Sequence, residues 1–220
     1  MENPEKNNGF EDGFEVNSSY ADSLAVQEKI PEKNTPGQEI IEWLDVLCGA
    51  IISVVIIFSL IFRVATIDGD SMKNTLIDND KVIITNLDYS PKQGDIVVIS
   101  RNVQNTLADQ AASDEPIIKR VIAVGGQTVN INFKTATVYV DGVALKEPYI
   151  SSPTIDKYDV DFPLYIPKGS VFVMGDNRHV SLDSRSGSIG NGGIVDARYI
   201  LGHAIFRFFP STKIGSLTQK

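Results

Sequence analysis

The chain holds only two imidazoles, His179 and His203, so a general base for any reaction it performs has few places to come from. His203 lies in GHAIFRFF, an alternating strand pattern in which a lone histidine is ordinarily structural. His179 stands in GDNRHVSLDSR among serines and aspartates, which leaves a Ser-His-Asp triad open on residue content alone. Three segments carry the remaining chemistry. IDGDSMKNTL (67–76) puts Ser71 on a turn rich in Gly and Asp, and IIKRVIAVGG (117–126) puts Lys119 inside a strongly apolar run. The third, VMGDNRHVSLDSRSGSIG (173–190), is a polar stretch dense in hydrogen-bonding groups. A lysine buried in an apolar strand shifts toward its neutral amine, and a neutral amine can take the proton of a serine hydroxyl. Lowering a lysine pKa by about two units costs roughly 2.7 kcal/mol, which desolvation in such a strand can supply. Each segment also has a plainer reading: a turn serine, an exposed strand lysine, a solvated connection. Residue content therefore permits a Ser71–Lys119 dyad without requiring it.

The elements that must hold these residues are mostly strands. Short apolar runs at β spacing recur at KVIIT (81–85), DIVVIS (95–100), IIKRVIAV (117–124), TVNIN (128–132), ATVYV (136–140) and VFVM (171–174). No long stretch after residue 67 has helical periodicity. Asp141-Gly142 tolerates the positive φ angles of a type I′ turn, so a tight hairpin is predicted there. The expectation is an antiparallel, mostly β domain over residues 67–220 with one or two short helices. Segments 101–116 and 151–163 lack a strand pattern and read as exposed insertions.

Before this domain, Val46 to Phe62 reads VLCGAIISVVIIFSLIF, free of charge and bounded by Asp45 and Arg63. Counted on to Ile67, past an arginine that can snorkel, the run gives about 22 residues or roughly 33 Å of helix, enough to cross a bilayer core. Trp43 suits an interfacial anchor. A span over 43–66 is expected, acting as a permanent signal anchor because no short basic leader precedes it. Nearby lysines and arginines balance across the run, so charge does not orient it. The net charge of -8 is concentrated in the first forty residues, where nine acids face three lysines. Residues 1–42 therefore read as a disordered acidic arm. An acidic chain without a basic stripe argues against nucleic-acid binding. Cys48 is the sole cysteine, which excludes intrachain disulfides and cysteine-ligated metal motifs.

In order and content the three segments resemble the motifs of type I signal peptidases of the bacterial single-span kind, peptidase family S26. The serine motif stands here as GDSMKNTL, the lysine motif as KRV and the last motif as GDNRHVSLDSR. YSPKQGDIVVI (89–99) and GHAIFRFFP (202–210) are similar as well, so the resemblance runs from the apolar span to about Pro210. It implies a membrane-bound serine endopeptidase with the antiparallel β catalytic domain of that family. Its substrates would be the signal peptides of exported preproteins, cut after small residues in an Ala-x-Ala pattern. By the same resemblance Ser71 is the nucleophile, Lys119 the general base and Ser181 the hydroxyl that orients the lysine. Arg120, Asp176, Asp183 and Arg185 are implied as structural residues beside the site, and Met72 as part of the pocket for a small side chain. No metal or organic cofactor is implied. The resemblance also implies an N-terminus in the cytoplasm, a single crossing of the cell membrane and an extracytoplasmic catalytic domain.

Two positions depart from the pattern. Some relatives carry a serine two positions before the nucleophile that helps bind the oxyanion, whereas here Gly69 stands there, as it does in other relatives. Asn74 occupies a place where proline is usual, which is expected to loosen the turn after the nucleophile. Two rival readings exist. A Ser-Lys self-cleaving repressor is disfavoured by the span and by the missing basic region, and a non-catalytic membrane-tethered module assisting pilus or envelope assembly would have lost Ser71 or Lys119.

Overall fold

The computed structural model describes residues 35–100 and 115–217. Most of the acidic arm, residues 1–34, and the larger part of the expected insertion, residues 101–114, lie outside the described residues. The chain divides into two units, residues 1–51 and 52–220, and all of the β structure belongs to the second.

Helix α1 spans Pro36–Ile61. Its start suits the sequence: Pro36 takes the first helical position, where no backbone donor is needed, and the Thr35 carbonyl accepts from Glu39 N at 3.1 Å. The helix thus begins inside the segment read as the arm. Glu39–Ile61 is long and apolar enough to cross a membrane, and none of it is buried against the protein. The helix ends earlier than expected. Phe62–Thr66 form strand β1 and pair with β2 (Lys81–Thr85) from Phe62↔Thr85 to Thr66↔Lys81. Val64 and Thr66 are β-branched, and the partner strand supplies hydrogen bonds that a continued helix would forgo.

The remaining strands are β3 (Ile96–Ile99), β4 (Ile117–Val124), β5 (Thr128–Asn132), β6 (Thr137–Val140), β7 (Val143–Ala144), β8 (Leu164–Tyr165), β9 (Ser170–Met174), β10 (Val195–Asp196), β11 (Ile200–Phe209) and β12 (Gly215–Ser216). They form two antiparallel sheets. The larger runs β1-β2-β11-β3-β4-β9-β10 with β12 added to β11, and the smaller runs β7-β6-β5-β8. Each of the six predicted apolar runs contains a strand, and two three-residue 3-10 turns, Ala197–Tyr199 and Ser211–Lys213, supply the short helices. Val140 pairs with Val143 across Asp141 and Gly142, whose φ angles of 51° and 79° give the expected tight hairpin.

The central strands are covered on both faces, which is why their sequences are apolar throughout rather than alternating. Ile96 and Val98 of β3 join a core with Ile67, Met72, Leu76, Ile84 and Ile118. Val97 and Ile99 enter a second core with Val121, Val171 and Val173. A third core, built on Ile122, Val129, Val138, Ile166 and Phe172, joins the small sheet to β4 and β9. Segment 151–163 is less exposed than its sequence suggests. Thr154 and Val160 are buried, and Ser151 N and Val160 N donate to Asp176 O and Arg185 O of the following loop.

Candidate active site

Ser71 sits on the loop between β1 and β2. That loop is closed at its base by Ile67 N donating to Asp80 O at 2.8 Å and Asn79 N donating to Ile67 O at 2.9 Å. Inside it, Leu76 N reaches Met72 O at 2.9 Å, a single helical turn whose apolar residues Met72 and Leu76 are fully buried. The turn is therefore pinned by core burial on one side, leaving Ser71 partly exposed on the other.

Lys119 comes from the middle of β4, paired with Val97 of β3, and is only 4% exposed. Its Nζ lies 2.9 Å from Ser71 Oγ and 3.0 Å from Ile118 O. Two fixed contacts on one amine hold it against the serine hydroxyl, within the reach that proton transfer requires. Both residues line a cavity of about 640 Å³ whose wall also includes Ala65, Ile84, Val98, Ile118 and Leu201. The cleft is mixed, aliphatic on one part of its wall and bearing Arg63, Asp68 and Glu115 elsewhere, with a serine and a buried lysine in its lining, a combination compatible with acyl transfer.

The loop after β9 closes the other side. Asn177 N donates to Ser71 O at 2.9 Å, and Asn177 Nδ2 to Asp70 O at 3.2 Å. Ser181 is fully buried, and its Oγ has no hydrogen-bond partner among the described residues. It packs against Gly175, where an added Cβ would lie 2.5 Å from Ser181 Cβ and 2.5 Å from Ser71 O. Ser181 is thus a neighbour of the Ser71 carbonyl. Asp183 and Arg185 pair with each other, Nε to Oδ1 at 2.9 Å and Nη2 to Oδ2 at 3.0 Å, both side chains fully buried. Arg120 instead pairs with Asp176 through two bonds of 2.8 and 2.7 Å and donates to Gly94 O at 2.7 Å. Asp176 also accepts from the Thr75 hydroxyl on the Ser71 loop. Met72 faces the core and is not among the residues lining the cleft.

The histidines sit apart from this chemistry. His179 Nδ1 is 2.5 Å from Asp156 Oδ2, at an exposed position, and His203 stacks on Tyr89 with Nδ1 3.1 Å from Thr85 O. The Ser71 hydroxyl is met by Lys119. Gly69 and Asn74 acquire reasons as well. Gly69 has φ +83°, and its N–H donates to Asp78 Oδ1 at 2.9 Å. Asn74 has φ 88°, a left-handed conformation closed to proline, and its Nδ2 donates to Ile150 O at 3.2 Å. That bond ties the turn to the segment after β7 rather than loosening it.

Several residues of this assembly were not singled out by the sequence reading. Arg178, fully buried, is paired with Glu147 at 2.5 Å, and Tyr149 lies beneath the Arg120 guanidinium at 4.0 Å. Arg207 donates to Thr75 O at 2.7 Å and to Asp80 Oδ2 at 3.1 Å, joining β11 to the Ser71 loop. A buried arginine leaves no periodic signature, and the only hint is the density of charge in GDNRHVSLDSR.

The model of the signal peptidase family, peptidase S26, matches residues 40–209. A probable signal peptidase I-1 of Synechocystis sp. is 36% identical over 190 residues, 83% of this chain and 89% of that protein. The signal peptidase I of Bacillus licheniformis is 32% identical over 194 residues, 83% of this chain and 96% of that protein. A crystal structure of a signal peptidase I from Enterococcus faecalis aligns at 25% identity with a TM-score of 0.39, covering 52% of this chain and 97% of that one. Matched from the apolar helix to the last long strand by that family and by relatives more than 30% identical, this chain belongs to the signal peptidases of family S26 and is a serine peptidase.

Proposed function

We propose that this protein is a membrane-anchored endopeptidase that removes signal peptides from exported preproteins through a Ser71–Lys119 dyad, cutting after an Ala-x-Ala sequence. The observation that carries this reading is the 2.9 Å approach of a buried lysine amine to a serine hydroxyl inside a cleft. Lys119, as the neutral amine, takes the Ser71 proton while Oγ bonds to the carbonyl carbon of the substrate. The tetrahedral adduct then expels the mature chain's amine, which leaves with the proton from Lys119. The acyl-serine is released by a water whose proton passes to the same amine. Ser71 N–H faces the developing oxyanion, while the Gly69 N–H is committed to Asp78. Ser181, expected to orient the lysine, is buried beside Gly175 and the Ser71 carbonyl, but its hydroxyl makes no bond to Lys119; the amine is directed by its contacts with Ser71 Oγ and Ile118 O. Aliphatic side chains such as Ile84, Val98 and Ile118 limit the cleft to small substrate side chains. Helix α1 anchors the chain in the cell membrane, with its N-terminus in the cytoplasm and the β domain outside.

The test is cleavage of a preprotein by the detergent-solubilised protein. Ser71→Ala and Lys119→Ala each abolish turnover, and His179→Ala leaves it intact. Turnover retained in Lys119→Ala would overturn the dyad, and turnover lost in His179→Ala would favour a triad instead. Activity rises with pH as the base loses its proton, so an acid optimum also counts against a lysine base.

A further inference from the structure

The ion pair between Glu147 and Arg178 lies outside the dyad, yet its contacts lead to it. Arg178 is fully buried. Its Nε donates to Gly175 O at 3.0 Å, its Nη2 to Glu147 Oε1 at 2.5 Å, and its Nη1 to Glu147 Oε2 at 3.2 Å and to the Thr154 hydroxyl. Glu147 is the only carboxylate paired with it among the described residues, since Asp176 serves Arg120 and Asp183 serves Arg185. The Tyr149 hydroxyl donates to Glu147 Oε1 at 3.1 Å. Burial first, then the Glu147 charge, raise the Tyr149 pKa far above that of an ordinary tyrosine, so this donor survives into the alkaline range.

The far end of the pair is what matters for the reaction. Gly175 has no room for a Cβ because Ser181 and the Ser71 carbonyl press on it. Two residues further on, Asn177 N holds that same carbonyl. The peptide gripped by Arg178 is therefore in contact with both the Ser71 carbonyl and the buried Ser181 side chain. The other two carboxylates belong to the loop itself, whereas Glu147 comes from the segment between β7 and β8 of the small sheet.

We infer that Glu147 is a positioning residue for peptide cleavage: through Arg178 it fixes the Gly175 peptide, and so the position of Ser71 against Lys119. The inference rests on the dyad reading above. It differs from a purely stabilising role in what it predicts for turnover by folded enzyme. Misplacing reacting groups by about 1 Å can cost on the order of a hundredfold in rate.

The test uses the full chain in detergent, with kcat and KM measured on a preprotein and the folded fraction followed by circular dichroism. Glu147→Gln lowers kcat about 10- to 100-fold per folded molecule with KM within about twofold. Adding Arg178→Met to Glu147→Gln removes the stranded cation and restores the melting temperature but not kcat. Parental kcat in folded Glu147→Gln, or recovery of kcat together with stability in the double variant, overturns the inference. Should Glu147→Gln fail to fold, Glu147→Asp and Tyr149→Phe decide it in the same way: a lowered kcat at unchanged KM supports it, and parental kcat in both overturns it. Lys119→Ala assayed in parallel separates the two ideas. Turnover there overturns the dyad and this inference together, whereas an inert Lys119→Ala beside fully active Glu147 variants overturns this inference alone.

Discussion

Gly175→Ala puts the geometry of the site under direct stress. An alanine Cβ at this position would lie 2.5 Å from Ser71 O and 2.5 Å from Ser181 Cβ. Carbon-to-oxygen contacts settle at about 3.3–3.6 Å, so one of these groups must yield by roughly 1 Å. Neither can retreat cheaply, because Ser71 O is bonded to Asn177 N and Ser181 is fully buried. Overpacking of this kind costs about 1–3 kcal/mol of stability. A displacement of about 1 Å at the reacting groups costs on the order of a hundredfold in rate. Gly175→Ala is thus expected to fold and to be nearly inactive. The control is Gly125→Ala, beyond the end of β4 opposite Lys119, where a Cβ would lie 2.7 Å from Pro167 O. It should lose comparable stability and keep its turnover. Preprotein cleavage and thermal melting on the same samples decide the matter. Parental kcat in Gly175→Ala, or an equal kcat loss in Gly125→Ala, would refute the reasoning.

Asp183→Asn strands the fully buried Arg185 guanidinium and should cost about 3–5 kcal/mol, seen as a large fall in melting temperature, while Asp183→Asn with Arg185→Met recovers most of it. Asn74→Pro, although it installs the residue usual in relatives, should destabilise by more than about 1 kcal/mol in urea denaturation, because proline cannot adopt the φ of 88° found there. Asn74→Gly keeps that backbone and loses only the Ile150 bond, about 1 kcal/mol. Alkaline pH should weaken the fold. Burial raises the pKa of Tyr89, helped by its bond to Asp95, and burial with the Glu147 charge raises that of Tyr149. The unfolded chain releases these protons from about pH 10 while the folded one keeps them, so their contribution is complete below about pH 10 and declines above it. The urea midpoint should fall in that range, and Tyr89→Phe with Tyr149→Phe should flatten the decline; an unchanged slope would contradict the assignment.

The sequence was most informative where burial writes a pattern. Ile117–Val124 and Thr128–Asn132 are apolar at strand spacing, and the strands occupy those residues. The end of the apolar helix was misplaced because Phe62–Thr66 continues its composition, and only pairing with Lys81–Thr85 makes it a strand. That Ser71 and Lys119 meet was foreseeable through motif resemblance alone, since their residue types by themselves allowed plainer roles. Met72 illustrates the limit of that route: its neighbour Ser71 opens on the cleft, while its own side chain serves the core. Asn74 looked like a weakness because a sequence carries no φ angle. Glu147 left no trace, and Arg178 only the charge density of GDNRHVSLDSR, because a buried pair between segments 31 residues apart has no period and no fixed spacing.

The arginines around the site also constrain how such a sequence can drift. Arg120, Arg178 and Arg185 are all nearly or wholly enclosed, each with its own carboxylate. Losing either member alone strands a charge away from water, so single substitutions at these six positions meet a steep barrier that double substitutions avoid. The Lys157–Asp161 pair, open to solvent, can be lost one residue at a time. In a set of homologues, positions 120 with 176, 147 with 178 and 183 with 185 should therefore change together or not at all, while 157 and 161 vary independently.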